Sequence, residues 1–355
     1  LITKHLENKN PDKKHLENKN PDKKHLENKN LDKKAFRKSF MSDTNNHSKN
    51  IIHRILTEQI NLTSNELDTK STKEIVNIFS EADKEPQKAV ERVIPELVNA
   101  IDEITARLKL NGRLFYIGTG TSGRLGVLDA SECPPTFCTN PDLVQGIIAG
   151  GIPSLTRSSE YLEDVSEIAI ADLKARDFSY RDVLIGITAS GRTPYVLGAL
   201  NYSKSINALT ISISSVPESD STLDNDIDIR LITGPEILAG STRLKAGTAT
   251  KMALNIISTS VMIKLGKVYG NRMIDLSVSN DKLLDRAIGI LFDIGSVDKD
   301  TAVRLLKKTN GSVKLSLLIA LSGMDVIDAK QLLNDSKGNL RTALSSVKDN
   351  WIMFN

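Results

Sequence analysis

The sequence has few cysteines, few aromatic residues and no long apolar run. Of its 355 residues, two are cysteine and 4% are aromatic. A small scaffold held together by disulfide bonds is therefore excluded, and Cys133 and Cys138 are predicted to be free thiols in a reducing cytosol. Ligation of a metal by this C-x₄-C pair is the alternative, although no cluster of Cys or His accompanies it.

No segment approaches the roughly 18 consecutive apolar residues of a membrane span, and the N-terminus lacks the apolar core of a signal peptide. The net charge of +3 is unevenly distributed, because residues 1–40 carry 12 Lys/Arg against six Asp/Glu, which leaves −3 for residues 41–355. The basic character thus belongs to the tail. We expect a cytoplasmic protein that binds neither membrane nor nucleic acid.

Residues 4–33 are three copies of one decamer, KHLENKNPDK, and the third copy has Leu31 in place of proline. The units are polar apart from one or two leucines, so stacked units could not bury a core, and we predict disorder for residues 1–40. A short solenoid is the alternative. Because Met41-Ser42 resembles an ordinary beginning, we expect the functional chain to start at Met41 and residues 1–40 to have no catalytic role.

A strand followed by a glycine-rich turn dominates the middle of the sequence. Residues 114–117 suit a buried strand, and residues 118–123 (G-T-G-T-S-G) follow without a side chain larger than threonine. A helical apolar pattern then resumes. Free backbone N–H groups and the positive end of a helix dipole converge at such a turn and bind anions. Thr119, Thr121 and Ser122 add hydroxyl donors, and Arg124 adds a positive charge.

Gly118, Gly120 and Gly123 satisfy the bare dinucleotide pattern G-x-G-x-x-G. However, no acidic residue ends a second strand about 20 residues later, as recognition of a ribose requires. The P-loop pattern fails because no Gly-Lys-Ser/Thr ends the turn. A turn lined with short hydroxyl donors favours a phosphomonoester, and a dinucleotide and a purely structural turn remain as alternatives.

Further apolar strands alternate with helical patterns, which predicts an α/β fold with a parallel sheet covered by helices on both faces. The strands are predicted at 143–151, 183–188, 208–213 and 227–232, and the helices between them at about 160–176, 193–204 and near 220. Before the sheet, we expect a helix capped at Ser71 or Thr72 and a longer helix at 86–110.

A second turn of the same composition, residues 188–194 (T-A-S-G-R-T-P), follows the strand at 183–188. Its proline suits the first position of a helix. Because ligands of parallel sheets lie beyond the carboxyl ends of the strands, the two turns are expected at one edge, where they can bind one phosphate from two sides. Two capped helix starts without a ligand are the alternative.

Residues 234–248 (G-P-E-I-L-A-G-S-T-R-L-K-A-G-T) lead into a helix of about 20 residues that is apolar nearly all round. Such a helix is buried, and we expect it in the core in preference to a subunit interface. Lys251, near its start, could face a ligand, although a solvated lysine is the commoner outcome.

The last 80 residues contain an internal repeat with an offset of 27, in which Ala302, Leu305 and Gly311 match Ala329, Leu332 and Gly338. Each unit predicts a helix, a turn and a second helix, so a small helical module is expected after a boundary near residue 295.

Four segments together resemble the N-acetylmuramic acid 6-phosphate etherase family, bacterial enzymes of peptidoglycan recycling with a sugar-isomerase (SIS) fold. They are residues 116–135, which contain D-A-S-E-C-P-P, 145–151 (Q-G-I-I-A-G-G), 189–195 (A-S-G-R-T-P-Y) and 240–248. The likeness extends over about residues 51–345.

The resemblance implies cleavage of the D-lactyl ether at C3 of the phosphosugar, which gives N-acetylglucosamine 6-phosphate and D-lactate. It implies that Glu132 is the acid that protonates the lactate oxygen and that Glu163 is the base that removes the C2 proton. Two carboxyl groups with separated pKa values suit these roles. No metal or redox cofactor is implied. The candidate residues for the phosphate are Thr121, Ser122, Thr188, Ser190, Gly191 and Thr193.

The sequence supports the two acids differently. Glu132 lies one helix length beyond the glycine turn, just before Pro134 and Pro135, which we expect to end the helix. Glu163 shares its predicted helix with Asp164 and Glu167. A solvated carboxylate is the ordinary outcome at such a position.

The implied architecture is a flavodoxin-like SIS sheet at 113–270, preceded by an arm and helices at 41–112. A connecting helix at 271–295 and a helical module at 296–347 that resembles ubiquitin-associated (UBA) domains follow it. The family also implies a homodimer. Two other functions remain open: an aldose–ketose isomerase of a phosphosugar, and a non-catalytic sugar-phosphate sensor that resembles the glucokinase regulatory protein.

Overall fold

The computed structural model describes residues 55–157, 160–276, 278 and 281–353. The decamer repeats, the expected start at Met41 and the first part of the arm lie outside the described residues. The described chain begins with short 3₁₀ turns at Leu56–Glu58, Leu62–Ser64 and Leu67–Thr69. Three helices then lead to the sheet: α1 (Thr72–Ala82), α2 (Glu85–Arg92) and α3 (Ile94–Lys109).

The central sheet has five parallel strands in the order β2-β1-β3-β4-β5, which confirms the α/β prediction. Its strands are β1 (Leu114–Gly118), β2 (Val144–Ile148), β3 (Val183–Ile187), β4 (Leu209–Ser214) and β5 (Ile227–Arg230). The helices between them are α4 (Gly120–Phe137), α5 (Pro153–Thr156), α6 (Ser166–Lys174) and α7 (Pro194–Ser205). In this order the connections reverse direction between β1 and β3, which is the place where sheets of this kind bind ligands, beyond the carboxyl ends of the strands.

Helices cover both faces of the sheet, because the strands are apolar on both sides. Leu114 and Tyr116 of β1 belong to a core formed with α3, α4 and the long helix α8 (Lys245–Lys264). Phe115 and Ile117 point to the other face, where they belong to a core formed with α6 and α7. The prediction that α8 lies in the core is confirmed, although Ile256 and Ile263 on one side of it are exposed.

Three helix predictions need correction. The helix expected at 86–110 is divided at Val93, because Pro95 has no N–H with which to continue the bonding of α2 into α3. The helix expected at about 160–176 is a 3₁₀ turn at Glu160–Leu162 followed by α6, with Val165 extended between them. The short helix expected near residue 220 is a turn, in which Asp220 and Ser221 donate to the Pro217 carbonyl.

The prolines of α4 do not end it, contrary to expectation. Pro134 and Pro135 lie inside the helix, which continues to Phe137 and is ended by Cys138 in the left-handed region at φ +51°. The proline ring fixes φ near the helical value, so two prolines close to the end of a helix cost N–H bonds without reversing the chain. The Cys138 N–H donates to the Pro134 carbonyl at 2.9 Å and closes the last turn.

The predicted repeat is visible in the last four helices: α10 (Lys299–Lys308), α11 (Val313–Ser322), α12 (Val326–Asp335) and α13 (Leu340–Met353). Asp298 caps α10 and Asp325 caps α12. Gly311 and Gly338 adopt positive φ in the two turns. A two-strand hairpin, β6 (Val268–Tyr269) with β7 (Arg272–Met273), and helix α9 (Asp281–Gly295) connect α8 to these helices. None of the described helices is both long and apolar enough to cross a membrane.

Gly146 allows α4 to lie directly on β2, so enlarging it should destabilise the fold. A Cβ at Gly146 would come within 2.5 Å of the Val127 Cα. We expect Gly146→Ala to lower the free energy of unfolding by about 1–3 kcal/mol. Gly289→Ala in α9 is the matched control, because its Cβ meets nothing within 4 Å, and it should be neutral or stabilise by about 0.5–1 kcal/mol. Equal urea midpoints for the two variants would contradict this packing.

Candidate functional site

The turn between β1 and α4 (residues 118–123, the β1 turn) depends on two glycines. A Cβ on Gly123 would approach the Gly118 carbonyl oxygen to 2.6 Å, and a Cβ on Gly118 would approach the Gly123 nitrogen to 2.8 Å. Gly120 adopts φ +48°. No side chain caps α4, so backbone N–H groups at its start are available to an anion. Thr121 and Ser122 are partly buried beside them.

The turn after β3 (residues 188–193, the β3 turn) lies next to it, because Gly118 and Ile187 are paired at the carboxyl ends of their strands. The hydroxyls of Thr188 and Thr193 are 2.9 Å apart. Gly191, at φ +68°, accepts a hydrogen bond from Ser221 through its carbonyl at 2.6 Å. The Arg192 N–H donates to the Ser190 hydroxyl at 3.3 Å.

Glu163 lies between the two turns. Its carbonyl accepts a hydrogen bond from the Tyr195 N–H at 3.0 Å, at the start of α7. Its Oε1 is 3.6 Å from the position that a Cβ would occupy on Gly120. Glu163 therefore stands in the turn before α6, near the carboxyl ends of β1 and β3, and not on the solvated helix that the sequence predicted.

Arg124, which follows the β1 turn, and Arg192, in the β3 turn, both donate hydrogen bonds to backbone carbonyls. Arg124 donates to the Leu155 carbonyl at 3.1 Å and also to the Arg157 carbonyl. Arg192 donates to the Asp220 carbonyl through Nε at 2.9 Å and through a second nitrogen. These bonds leave Arg124 its positive charge, so the expectation that it adds this charge to the anion site stays a prediction, and the turns themselves offer hydroxyl and amide donors.

Glu132 lies away from these turns within one chain. It is exposed and lines a cleft of about 260 Å³ between α4 and α8, which we call the α4–α8 cleft. Twelve residues of continuous helix separate it from Gly120, a distance of about 18 Å along the axis. The structure thus brings together Glu163 and both turns, but it does not bring Glu132 to them.

A hydrogen-bonded network forms the floor of the α4–α8 cleft. Asp129 accepts hydrogen bonds from the buried Tyr116 hydroxyl at 2.9 Å and from the Ser258 hydroxyl at 3.1 Å. Burial raises the pKa of the Asp129 carboxyl above its usual range. Burial, together with the charges of Asp129 and Glu132, raises the pKa of the Cys133 thiol to about 12.

A third loop approaches the β1 turn, and the sequence did not reveal how it is held. A Cβ built on Gly247 in α8 would lie 3.6 Å from the Thr121 methyl carbon. The buried Glu236 carboxylate accepts hydrogen bonds from the N–H groups of Lys245 and Ala246 at 3.1 and 2.9 Å, and so caps α8. Burial raises the pKa of Glu236 and lowers that of Lys245. The sequence signal for this cap was Glu236 in the G-P-E string, because an acidic residue can cap the start of a helix.

The arm before α1 holds the same loop. The Gly240 N–H donates to the Thr57 carbonyl at 3.2 Å, and the Ser64 hydroxyl donates to the Ile237 carbonyl at 2.6 Å. Among the described residues, no group of three or more His, Cys, Asp or Glu is arranged to hold a metal ion.

The sheet order and the two turns at its reversal point define an SIS-type α/β protein. A family model for the glucokinase regulatory protein N-terminal SIS domain matches residues 96–204, and one for the C-terminal lid domain of glucokinase regulatory protein matches residues 270–316. A phosphoheptose isomerase from Neisseria gonorrhoeae is similar in structure, with 17% identity and a TM-score of 0.40 over 54% of this chain and 97% of that chain.

Sequence comparison identifies the family. The chain is 96% identical over 310 residues to an N-acetylmuramic acid 6-phosphate etherase of Prochlorococcus marinus (strain NATL1A). The matched residues cover 87% of this chain and 100% of that relative. It is 54% identical over 308 residues to the protein of the same name from strain MIT 9313, with 87% and 98% covered. The chain belongs to the N-acetylmuramic acid 6-phosphate etherase family.

The two thiols of the chain should differ sharply in reactivity. Both are free; Cys138 is exposed, whereas Cys133 is 2% exposed and has its pKa raised to about 12. Since the thiolate is the nucleophile, we expect iodoacetamide at pH 8 to label Cys138 alone in the native chain and both thiols after denaturation. Peptide mass spectrometry checks this result. Cys138→Ser should abolish native labelling, and labelling of Cys133 at a comparable rate would contradict its burial.

Proposed function

We propose that the protein cleaves the D-lactyl ether of N-acetylmuramic acid 6-phosphate and is therefore a carbon–oxygen lyase. The products are N-acetylglucosamine 6-phosphate and D-lactate. The observation that carries the proposal is the position of Glu163, whose carboxylate stands beside Gly120 while its carbonyl is bonded to the start of α7. Membership of the etherase family supports the choice of substrate.

The phosphate is bound between the β1 turn and the β3 turn. The proposed donors are the hydroxyls of Thr121, Ser122, Thr188, Ser190 and Thr193 with the backbone around Gly191. The pairing of Gly118 with Ile187 places the starts of both turns side by side, and the uncapped start of α4 supplies N–H groups. Hydroxyls and amides can surround one phosphomonoester from two sides in this arrangement.

The proposed reaction is an elimination followed by addition of water. In the open-chain aldehyde, Glu163 removes the C2 proton, the bond between C3 and the ether oxygen breaks, and Glu132 protonates the departing lactate oxygen. A double bond then joins C2 and C3. Water adds at C3 as Glu132 takes its proton, and Glu163 returns a proton to C2. Both carboxyl groups thereby recover their first protonation states.

We also propose that the enzyme is a homodimer in which Glu132 acts in the partner's site. The helix length between Gly120 and Glu132 supports this, since about 18 Å of α4 separates the phosphate-binding end from the acid. A phosphosugar held at the β1 turn extends only one sugar ring beyond its phosphate. A second copy of the chain that presents its own α4–α8 cleft to that ring would complete the constellation.

The cytoplasm is the proposed location, and the two free thiols support it. The isomerase and sensor alternatives are not favoured, because relatives with up to 96% identity carry the name of the etherase.

The first test is turnover by the full chain. Incubation with N-acetylmuramic acid 6-phosphate should release D-lactate and N-acetylglucosamine 6-phosphate in equal amounts, and solvent deuterium should appear at C2. Glu163→Gln should lower kcat by at least about 100-fold, as expected for loss of a general base. Asp164→Asn, a change at the neighbouring carboxylate, is the control. Binding of the phosphosugar without lactate release would favour the sensor instead.

The second test asks which subunit supplies Glu132. If it acts in the partner's site, co-expression of Glu132→Gln with Glu163→Gln creates one intact site in each mixed dimer. Random pairing should then restore about a quarter of the wild-type activity. Each variant alone should be inactive and serves as the control. An inactive mixture, with mixed dimers shown by differential tags, would mean that both acids serve the same chain's site.

A further inference from the structure

The α4–α8 cleft contains groups that the proposed acid–base chemistry does not use. Lys251 and Asn255 line it from α8, and Leu128 and Glu132 line it from α4. Leu128 is 50% exposed. An ammonium, an amide, an apolar side chain and a carboxyl group therefore share one space of about 260 Å³, which suits a small organic acid.

Lys251 makes no close ion pair among the described residues, although its charge acts to lower the pKa of Asp129 in the same cleft. With the Asn255 amide oxygen facing it, the Lys251 Nζ donates to that oxygen at 3.0 Å, and the amide nitrogen donates to the Lys251 carbonyl at 3.1 Å. None of the ion pairs formed among the described residues includes Lys251. The amide thus orients the ammonium and leaves it with further N–H donors.

The other carboxylate of the cleft is already engaged. Both oxygens of Asp129 accept hydrogen bonds, from Tyr116 and from Ser258. Among the described residues that line the cleft, Lys251 is the one cation. Lys251 is consequently the cation that this cleft offers to an incoming anion.

The substrate of the proposed reaction carries such an anion. Its lactyl carboxylate is separated by a single carbon from the ether oxygen that Glu132 would protonate, so the carboxylate must lie close to Glu132. A bare carboxylate there would be repelled whenever Glu132 is ionised. A neighbouring ammonium offsets that charge and the charge that develops on the departing oxygen.

We propose that Lys251, oriented by Asn255, forms with Leu128 the subsite for the D-lactyl group. The ammonium binds the lactyl carboxylate, and Leu128 contacts the lactyl methyl group. Lys251 is thereby a specificity-determining residue that distinguishes the ether substrate from the sugar product, which lacks the carboxylate. This assignment rests on the proposed function.

The test compares N-acetylmuramic acid 6-phosphate with its analogue in which a carboxamide replaces the lactyl carboxylate. Lys251→Met retains the apolar stem and removes the charge. We expect kcat/KM for the acid to fall about 10- to 100-fold, whereas kcat/KM for the carboxamide changes by less than about threefold, because a charge-assisted contact is lost only with the acid. Lys251→Arg should restore part of the preference for the acid.

Lys264→Met is the matched control, since Lys264 lies on the same helix, is exposed and pairs with Asp102. It should leave both substrates unaffected. An equal loss for both substrates in Lys251→Met, or an unchanged preference for the acid, would overturn the subsite.

A binding measurement separates this proposal from the proposed function. In the Glu163→Gln background, calorimetry should show that Lys251→Met weakens binding of the acid and leaves binding of N-acetylglucosamine 6-phosphate unchanged. If the wild-type chain released no D-lactate, the proposed function would fail, but this comparison would still decide whether Lys251 binds the carboxylate. Equal affinities for the acid with and without Lys251 would refute the subsite.

Discussion

The close approach of α4 to the end of β1 is the constraint on which the rest depends. Gly118 and Gly123 lie so near each other that neither can carry a Cβ without a contact below 3.0 Å. This approach leaves the uncapped start of α4 at the crevice between β1 and β3. It also brings Gly120 within reach of the Glu163 carboxylate. One steric requirement therefore places the proposed phosphate donors and the proposed base together.

Because α4 is one continuous helix, the β1 turn at its start and the α4–α8 cleft near its end lie a fixed distance apart. Its first residues form the β1 turn and its last turns line the α4–α8 cleft. Gly126 of the helix packs on Tyr116 of β1, and Gly146 of β2 packs on Val127 of the helix. The helix therefore cannot slide without losing that packing. The distance between the proposed phosphate site and Glu132 is thus a property of the helix, and it is the reason why we propose that Glu132 acts in the site of a second subunit.

Local sequence patterns predicted most of the fold and the two turns of the candidate site. The strands, the repeat of the last helices and the two hydroxyl-rich turns were readable because apolar periodicity and glycine placement are local signals. Interactions between distant segments were not readable. The capture of Arg124 by the Leu155 carbonyl and of Arg192 by the Asp220 carbonyl depends on tertiary contacts, as does the position of Glu163 beside Gly120.

The hydrogen bonds of the two arginines have a consequence for the proposed phosphate site. Both guanidinium groups keep their charge while they donate to backbone carbonyls, so each charge is held in a set position and the turns themselves offer oriented hydroxyl and amide dipoles. Dissolved salt screens exposed charges far more than it weakens short hydrogen bonds in a partly buried site. The hydroxyl and amide contribution to the proposed phosphate binding should therefore depend less on ionic strength than the contribution of the two guanidinium charges.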